Sequence, residues 1–193
     1  MTDPFLKDEH VQGSPEWLEM RKRHIGASDA PIILGASPWC TPYELWERKL
    51  GIAKEIEETP AMRRGSLMEP EARKAFELAT KLEVFPQIVY HTKHKFMMSS
   101  LDGLTLDGSA AVEIKCPGKK AHSMALKGKV PEYYIPQLQH QLACLGIEKV
   151  YYYSYDGYNG VVLEIDRDDV FIENLIEKEK EFWECVQSKT RPN

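Results

Sequence analysis

Asp102, Glu113 and Lys115 place two carboxylates and an amine within one short stretch of chain. Glu113 and Lys115 alternate with Val112, Ile114 and Cys116. On a strand this puts the charged pair on one face and the apolar set on the other, toward a core. Leu101-Asp102-Gly103 reads as the end of the preceding hairpin, which brings a second carboxylate to the same point. Two carboxylates and a backbone carbonyl suit Mg2+, a hard ion that keeps several waters and takes substrate phosphates as ligands. A lysine beside them would position or help deprotonate a bound water and stabilise charge developing on a phosphate. Each piece also has a plainer reading: Asp-Gly is a turn signal, and Glu-x-Lys on a strand is often a solvated pair.

The elements that must position these residues follow from punctuation and period. Ser14-Pro15-Glu16 predicts a helix start, Ser28 can cap a helix over 29–34, and Thr41-Pro42-Tyr43-Glu44 has capping-box spacing. A longer helix is expected from about Thr59 to Lys81, kinked or restarted at Pro70. The middle of the chain changes to short β-favouring runs at 84–91, 95–99, 104–106 and 111–116, with turns at Asp102-Gly103 and Asp107-Gly108. Helices return at 119–127 and 132–145, and in the second Ile135, Leu138, Leu142 and Leu145 share one face while Tyr134, Gln137 and Gln141 share another. Two strands at 149–155 and 160–165 flank an Asp156-Gly157 turn, and an acidic amphipathic helix over 168–188 follows. This order predicts an α/β fold: one domain over 1–193, with a central mixed β-sheet flanked by helices. Its helical part would span about 14–81, and its catalytic sheet and helices about 82–190.

The 193 residues are 42% hydrophobic and 28% charged, a globular composition that excludes a disordered or collagen-like chain. No apolar run approaches the roughly 20 residues of a membrane span. The charged N-terminal stretch lacks the apolar segment of a signal peptide, so a cytoplasmic location in a bacterial host is expected. Cys40, Cys116, Cys144 and Cys185 form no CxxC pair and read as small, buried or half-buried apolar residues. The net charge of −5 conceals an asymmetry: residues 164–184 carry nine acids and three bases, which leaves the rest of the chain at +1. A basic groove beside an acidic outer helix is compatible with that distribution. His91-x-x-His94 has the spacing of a metal pair but no third ligand at useful distance, and Tyr151-Tyr152-Tyr153 reads as a buried strand rather than a stacking platform.

Several segments in a fixed order resemble the YqaJ-type viral recombinase, or phage lambda exonuclease, family of the PD-(D/E)xK nuclease superfamily. They are Trp17-Leu18-Glu19-Met20-Arg21, Ile25-Gly26-Ala27-Ser28-Asp29-Ala30, and the run from Arg64 to Arg73 around Glu69-Pro70-Glu71. Leu101-Asp102-Gly103, Glu113-Ile114-Lys115-Cys116-Pro117 and Tyr134-Ile135-Pro136-Gln137-Leu138-Gln139 complete the set. The resemblance runs from about Trp17 to Tyr153. Leu101 stands where the superfamily name implies proline, and Pro136 directly precedes the glutamine of the last motif.

The resemblance implies a restriction-endonuclease-like core and a set of roles. Asp102 and Glu113 would be metal ligands, with the Ile114 carbonyl, and Lys115 the catalytic lysine. Glu69 would contribute to a second metal position, with Glu71 as the alternative register. Gln137, or Gln139 in the alternative register, would orient the attacking water or Lys115. Arg21 and Ser28 would hold a terminal 5′-phosphate, and Ser100 would touch backbone phosphate. The same residues have structural readings: Arg21 as a surface charge, Ser28 as a helix cap, and Glu69 as an acid in the first turn of a helix restarted at Pro70.

The expected activity is a Mg2+-dependent 5′–3′ exonuclease, with Mn2+ as a substitute. It would degrade one strand of linear double-stranded DNA from 5′-phosphorylated ends to mononucleotides and leave a 3′ overhang for recombination by strand annealing. The expected partners are DNA with a free 5′ end, two further copies in a homotrimeric ring and a single-strand annealing protein, with no membrane. The alternatives are an endonucleolytic or structure-selective nuclease on the same fold and a catalytically inactive DNA-end-binding protein.

Overall fold

A computed structural model describes residues 5–53 and 59–192; residues 1–4 of the charged N-terminal stretch lie outside them. The chain runs through strand β1 (Phe5–Asp8), helix α1 (Pro15–Lys22), the two-residue strand β2 (Ile25–Gly26), a 3-10 turn at Ala27–Asp29, and helices α2 (Ala30–Ile33), α3 (Pro42–Lys49) and α4 (Pro60–Thr80). Strands β3 (Phe85–His91), β4 (Met97–Leu104) and β5 (Ala111–Lys115) follow, then α5 (Lys119–Ala125), a 3-10 turn at Glu132–Tyr134 and α6 (Ile135–Leu145). Strands β6 (Lys149–Tyr155) and β7 (Gly160–Asp166) and helix α7 (Asp169–Ser188) complete the fold.

The strands form one mixed sheet in the order β1-β3-β4-β5-β6-β7, with β2 pairing alongside β4. β5 and β6 are parallel, in register from Val112 opposite Tyr151 to Lys115 opposite Ser154. A parallel neighbour requires a crossover, and α5 and α6 supply it. The architecture is therefore the α/β sheet flanked by helices that the sequence predicts.

Alternation along β5 decides which helix meets which face. Val112 and Ile114 pack with Ala72 and Phe76 of α4 on one side of the sheet. Glu113 points to the other side, where α6 lies. Leu138, Leu142 and Leu145 of α6 are buried in the larger core with Leu101, Leu104 and Tyr152. The Glu113 face of the sheet thus lies beneath α6, and α4 closes the opposite face.

Three local expectations change. Asp102-Gly103 is not a turn: both residues lie inside β4, which absorbs the two short strands expected at 95–99 and 104–106. Glycine is required at 103 for packing, because a Cβ there would come within 2.6–2.9 Å of Val84 and Val112 side-chain atoms. Pro70 does not restart α4, which runs unbroken from Pro60 to Thr80, so Glu69 is a mid-helix residue and not a first-turn acid. Ser28 does not cap α2; it sits in the 3-10 turn, Asp29 holds the cap position, and the Ser28 hydroxyl is engaged by Arg21 instead. Pro136 occupies the first turn of α6, where its missing N–H has no intrahelical partner to lose. Gln137 is accordingly set in regular helix.

Candidate active site

The site is built where the middle of β4 meets β5. Asp102 Oδ2 accepts the backbone N–H of Ile114 at 2.7 Å, which ties the carboxylate across to the neighbouring strand. Glu113 is buried, and its carboxylate gathers three donors. Lys115 Nζ reaches Oε1 at 2.5 Å, Gln137 Nε2 reaches the same oxygen at 2.6 Å, and Gln141 Nε2 donates to Oε2. Gln137 and Gln141 are one helical turn apart on α6, so the second glutamine arrives on the same face as the first. Gln139 points elsewhere: it spans the backbone of Asp166 and Asp168, beside the start of α7. Of the two registers, the one containing Gln137 meets the carboxylates.

Glu69 reaches this region through α4. Its Oε1 accepts from Arg73 Nη2 at 2.5 Å, and Arg73 Nε donates at 2.7 Å to the backbone carbonyl of Asp102. Glu71, two residues along, instead accepts from the hydroxyl of Tyr155. Arg73 has no role in the sequence reading, although its position four residues after Glu69 makes it an i, i+4 ion-pair partner.

One cavity of about 140 Å³ joins the carboxylates to the N-terminal segment; Arg21, Ser28, Ser100, Asp102, Glu113 and Gln137 all line it. Arg21 Nη2 donates to Ser28 Oγ at 2.9 Å, and its guanidinium lies over the Trp17 ring at 5.0 Å. Trp17 in turn donates from Nε1 to Ser100 Oγ at 2.7 Å. Gln12, which also lines the cavity, donates to the Leu101 carbonyl at 2.9 Å. Trp17 belongs to the first motif without a role assigned to it, Gln141 is signalled only by the helical face it shares with Gln137, and Gln12 carries no motif signal.

The electrostatics of the carboxylates are unbalanced. Burial, then the Glu113 charge, raises the Asp102 carboxyl well above the usual range; Lys115 opposes this and Glu69 adds to it. Burial disfavours the Lys115 ammonium, but Glu113 and Asp102 outweigh that and hold it above its ordinary value, so it stands as a proton donor to Glu113. Among the described residues no three His, Cys, Asp or Glu side chains converge as a metal cage. Mg2+ does not need one, since one or two carboxylates plus substrate phosphates and waters suffice. Two carboxylates in a shared pocket, with the Glu113 charge raising the Asp102 carboxyl, are a donor set that fits a hard divalent cation. Asp102 and Glu113 would hold it, with Glu69 near by.

His91 and His94 stack edge to face at 4.8 Å, and His91 Nδ1 accepts the backbone N–H groups of Lys93 and His94, so the pair organises its own turn. Burial, with His94 next, lowers the His91 pKa to about 4. Tyr152 and Tyr153 are buried in β6 as the strand reading expects, and all four cysteines are free thiols. Among the described residues no helix is long and apolar enough to cross a membrane.

Comparison with known proteins extends this geometry. Residues 16–148 match the model of the YqaJ-like viral recombinase domain. The chain is 37% identical over 174 residues to the uncharacterised protein YqaJ of Bacillus subtilis, covering 87% of this chain and 54% of that protein. It is 21% identical over 164 residues to protein D345L of African swine fever virus, covering 72% of this chain and 48% of that one. The chain thus spans about half the length of these curated relatives. Among solved structures, the alkaline exonuclease LHK-Exo of Laribacter hongkongensis superposes with a TM-score of 0.79 at 27% identity, covering 92% of this chain and 94% of that one. A phage-related exonuclease from Haemophilus somnus shares the fold at a TM-score of 0.60 and 13% identity, over 86% of this chain and 96% of that one. The sheet and its helices form a PD-(D/E)xK nuclease core. The chain belongs to the YqaJ-like viral recombinase domain family.

Proposed function

We propose that this chain is a Mg2+-dependent 5′–3′ exodeoxyribonuclease acting on linear duplex DNA with 5′-phosphorylated ends. The observation that carries the reading is the shared cavity, which holds Arg21 and Ser28 on one wall and Asp102 and Glu113 on another. A terminal phosphate gripped by Arg21 and Ser28 would fix the distance to the bond that is cut, and each cut would create the next end. The similarity to LHK-Exo, an alkaline exonuclease whose structure is also known with dAMP, supports a mononucleotide product.

The residues divide the work by position. Asp102 and Glu113 would hold the cation, which when bound supplies a water of lowered pKa and neutralises phosphate charge. Gln137 and Gln141 fix the Glu113 carboxylate from α6, and Lys115 brings a positive charge to the same oxygen. That ammonium would stabilise negative charge on the phosphate as water attacks. Arg73 secures the Asp102 backbone while pairing with Glu69. Ser100, bonded to Trp17 at the cavity wall, would meet the DNA backbone. The same reading includes a homotrimeric ring around the duplex, Mn2+ as a substitute, a bacterial cytoplasmic setting and an annealing protein that takes up the 3′ strand.

End-labelled linear duplex, with 5′-phosphate or 5′-hydroxyl ends and with or without Mg2+, tests this directly. Mononucleotide release that requires Mg2+ and favours phosphorylated ends is expected, with a covalently closed circle left intact. Cutting of the circle would replace the exonuclease with an endonuclease, and end binding without any digestion would leave an inactive end-binding protein.

A further inference from the structure

An aromatic path leads from the carboxylate site to the surface. Lys115 Nζ lies 5.0 Å from the Tyr134 ring centroid, the Tyr134 and Tyr133 rings meet at 4.5 Å, and Tyr133 meets Trp39 edge to face at 4.9 Å. Its inner end is anchored, because Tyr134 also packs on the fully buried Tyr152 at 5.8 Å. Its outer end is not: Trp39 remains 68% exposed although it touches Tyr133. A tryptophan that served only to pin its loop would bury most of its ring against the neighbour. Beside the path is a groove of about 590 Å³ whose lining includes Tyr133, Lys119 and Lys120, with Glu132 the one acid in it. Both lysines are exposed. Aromatic faces next to a basic track are the combination that holds unpaired nucleotides, with bases on rings and phosphates on ammonium groups.

We propose that Trp39 and Tyr133 form a stacking platform for unpaired bases of the strand whose phosphate enters the carboxylate site, with Lys119 and Lys120 on the adjoining phosphates. This deepens the nuclease reading and rests on it for the identity of the strand. Duplex DNA offers its bases stacked and paired, so cutting one strand at a recessed site requires the end to open. The platform gives the opened bases a new surface, and stacking on one ring is worth about five- to a hundredfold in affinity.

The test uses a 5′-phosphorylated single-stranded 12-mer with 2-aminopurine near its 5′ end, bound to the full chain in EDTA so that no cleavage occurs. Fluorescence quenching reports stacking and anisotropy reports affinity. Binding with quenching is expected for the wild type. Trp39→Ala and Tyr133→Ala should each weaken binding about five- to a hundredfold and relieve the quenching. Trp39→Phe and Tyr133→Phe should keep both, because they keep a ring. Unchanged affinity and quenching in both alanine variants would overturn the platform, as would phenylalanine variants as impaired as the alanine ones. Digestion of linear duplex is scored in parallel with Mg2+. An active enzyme without ring-dependent quenching loses the platform and keeps the nuclease, whereas ring-dependent quenching without digestion supports the platform and removes the nuclease.

Discussion

Two clusters of charge stand near the same cavity and are built on opposite principles. Around Asp29 the charges are paired. Its Oδ2 accepts the Gly26 N–H at 2.8 Å and the Lys49 ammonium at 2.5 Å, and its Oδ1 faces Arg21 at 3.6 Å. Lys49 has three donors, and they go to Asp29, the Arg21 carbonyl and the His24 carbonyl. Both side chains are 4% exposed. Burial works against the Asp29 charge, but Lys49 and then Arg21 overcome it and hold the carboxyl below its usual range. Around Asp102 the balance runs the other way, and its carboxyl is pushed up. One cluster is neutralised from within and fixes the backbone under Arg21 and Ser28. The other keeps two carboxylates in mutual repulsion, a state that a divalent cation relieves. Acids of the same type thus serve as a clamp in one place, behind Arg21 and Gly26 of the cavity wall, and as a candidate ligand set in the other.

The largest expected effect separates the two by activity and stability together. Asp102→Asn keeps an oxygen to accept the Ile114 N–H and removes a repelling charge. Mg2+-dependent cleavage should fall at least about a thousandfold, the scale of the several kcal/mol a bound cation supplies. The melting temperature should stay level or rise, as it does when a functionally strained charge is removed. A variant that melts clearly earlier, or still cleaves with wild-type Mg2+ dependence, would place Asp102 in the clamp class.

Asp29→Asn should do the reverse. It leaves the Lys49 ammonium buried without a counter-charge, a cost of about 3–5 kcal/mol. For a chain of this size that is a fall of roughly 6–20 °C in the thermal midpoint, read by calorimetry. Residual cleavage should persist below that midpoint, since Asp102, Glu113 and Lys115 are untouched. A midpoint within a degree or two of the wild type would mean that the pair holds nothing together.

How much of this contrast could be read in the sequence depends on how local each signal is. Glu113 and Lys115 declare their common face through alternation with Val112, Ile114 and Cys116, and the structure places Glu113 opposite Val112 and Ile114 as that pattern requires. The Thr41 capping box and the β6 strand, 149–155, are likewise local, and both form where expected. Asp102-Gly103 misleads because a glycine demanded by Val84 and Val112 across the sheet looks, in one dimension, the same as a glycine demanded by a turn. The two-residue β2 and the edge strand β1 are too short to show a period. Asp29 and Lys49 are twenty residues apart with no spacing rule between them, so only the folded chain reveals the clamp.

Arg21 connects the clusters, and its removal should have a narrower effect. A charge-assisted hydrogen bond contributes about 1.5–3 kcal/mol. Arg21→Ala should therefore reduce the preference for 5′-phosphate over 5′-hydroxyl ends by about ten- to a hundredfold, with cleavage of hydroxyl ends little changed. Initial rates on matched duplexes measure it. A preference ratio equal to that of the wild type would remove Arg21 and Ser28 from the phosphate grip, leaving the clamp with only a structural task.

The smallest effect is a difference in slope. Because Asp29 has a lower pKa folded than unfolded, the folded chain sheds that proton more readily than the unfolded one. Its contribution is complete above the unfolded value, about 3.9, and is lost as pH falls below that toward the folded value. The charged groups around it are Arg21 from α1, Lys49 from α3 and, beyond Lys49, Glu179 from α7. Of these only Glu179 also titrates in acid; burial raises its carboxyl while His140, at 2.7 Å, opposes the rise. The Asp29 charge adds to the rise of the Glu179 carboxyl, so the difference between the two proteins reads the Asp29 titration together with its coupling to Glu179. Denaturant unfolding of wild type and Asp29→Asn between about pH 5 and pH 2 should show the wild type losing stability more steeply over the lower part of that range, and the gap between them narrowing. Parallel curves would mean that Asp29 is not ionised in the folded chain, and the contrast with Asp102 would then rest on hydrogen bonding alone.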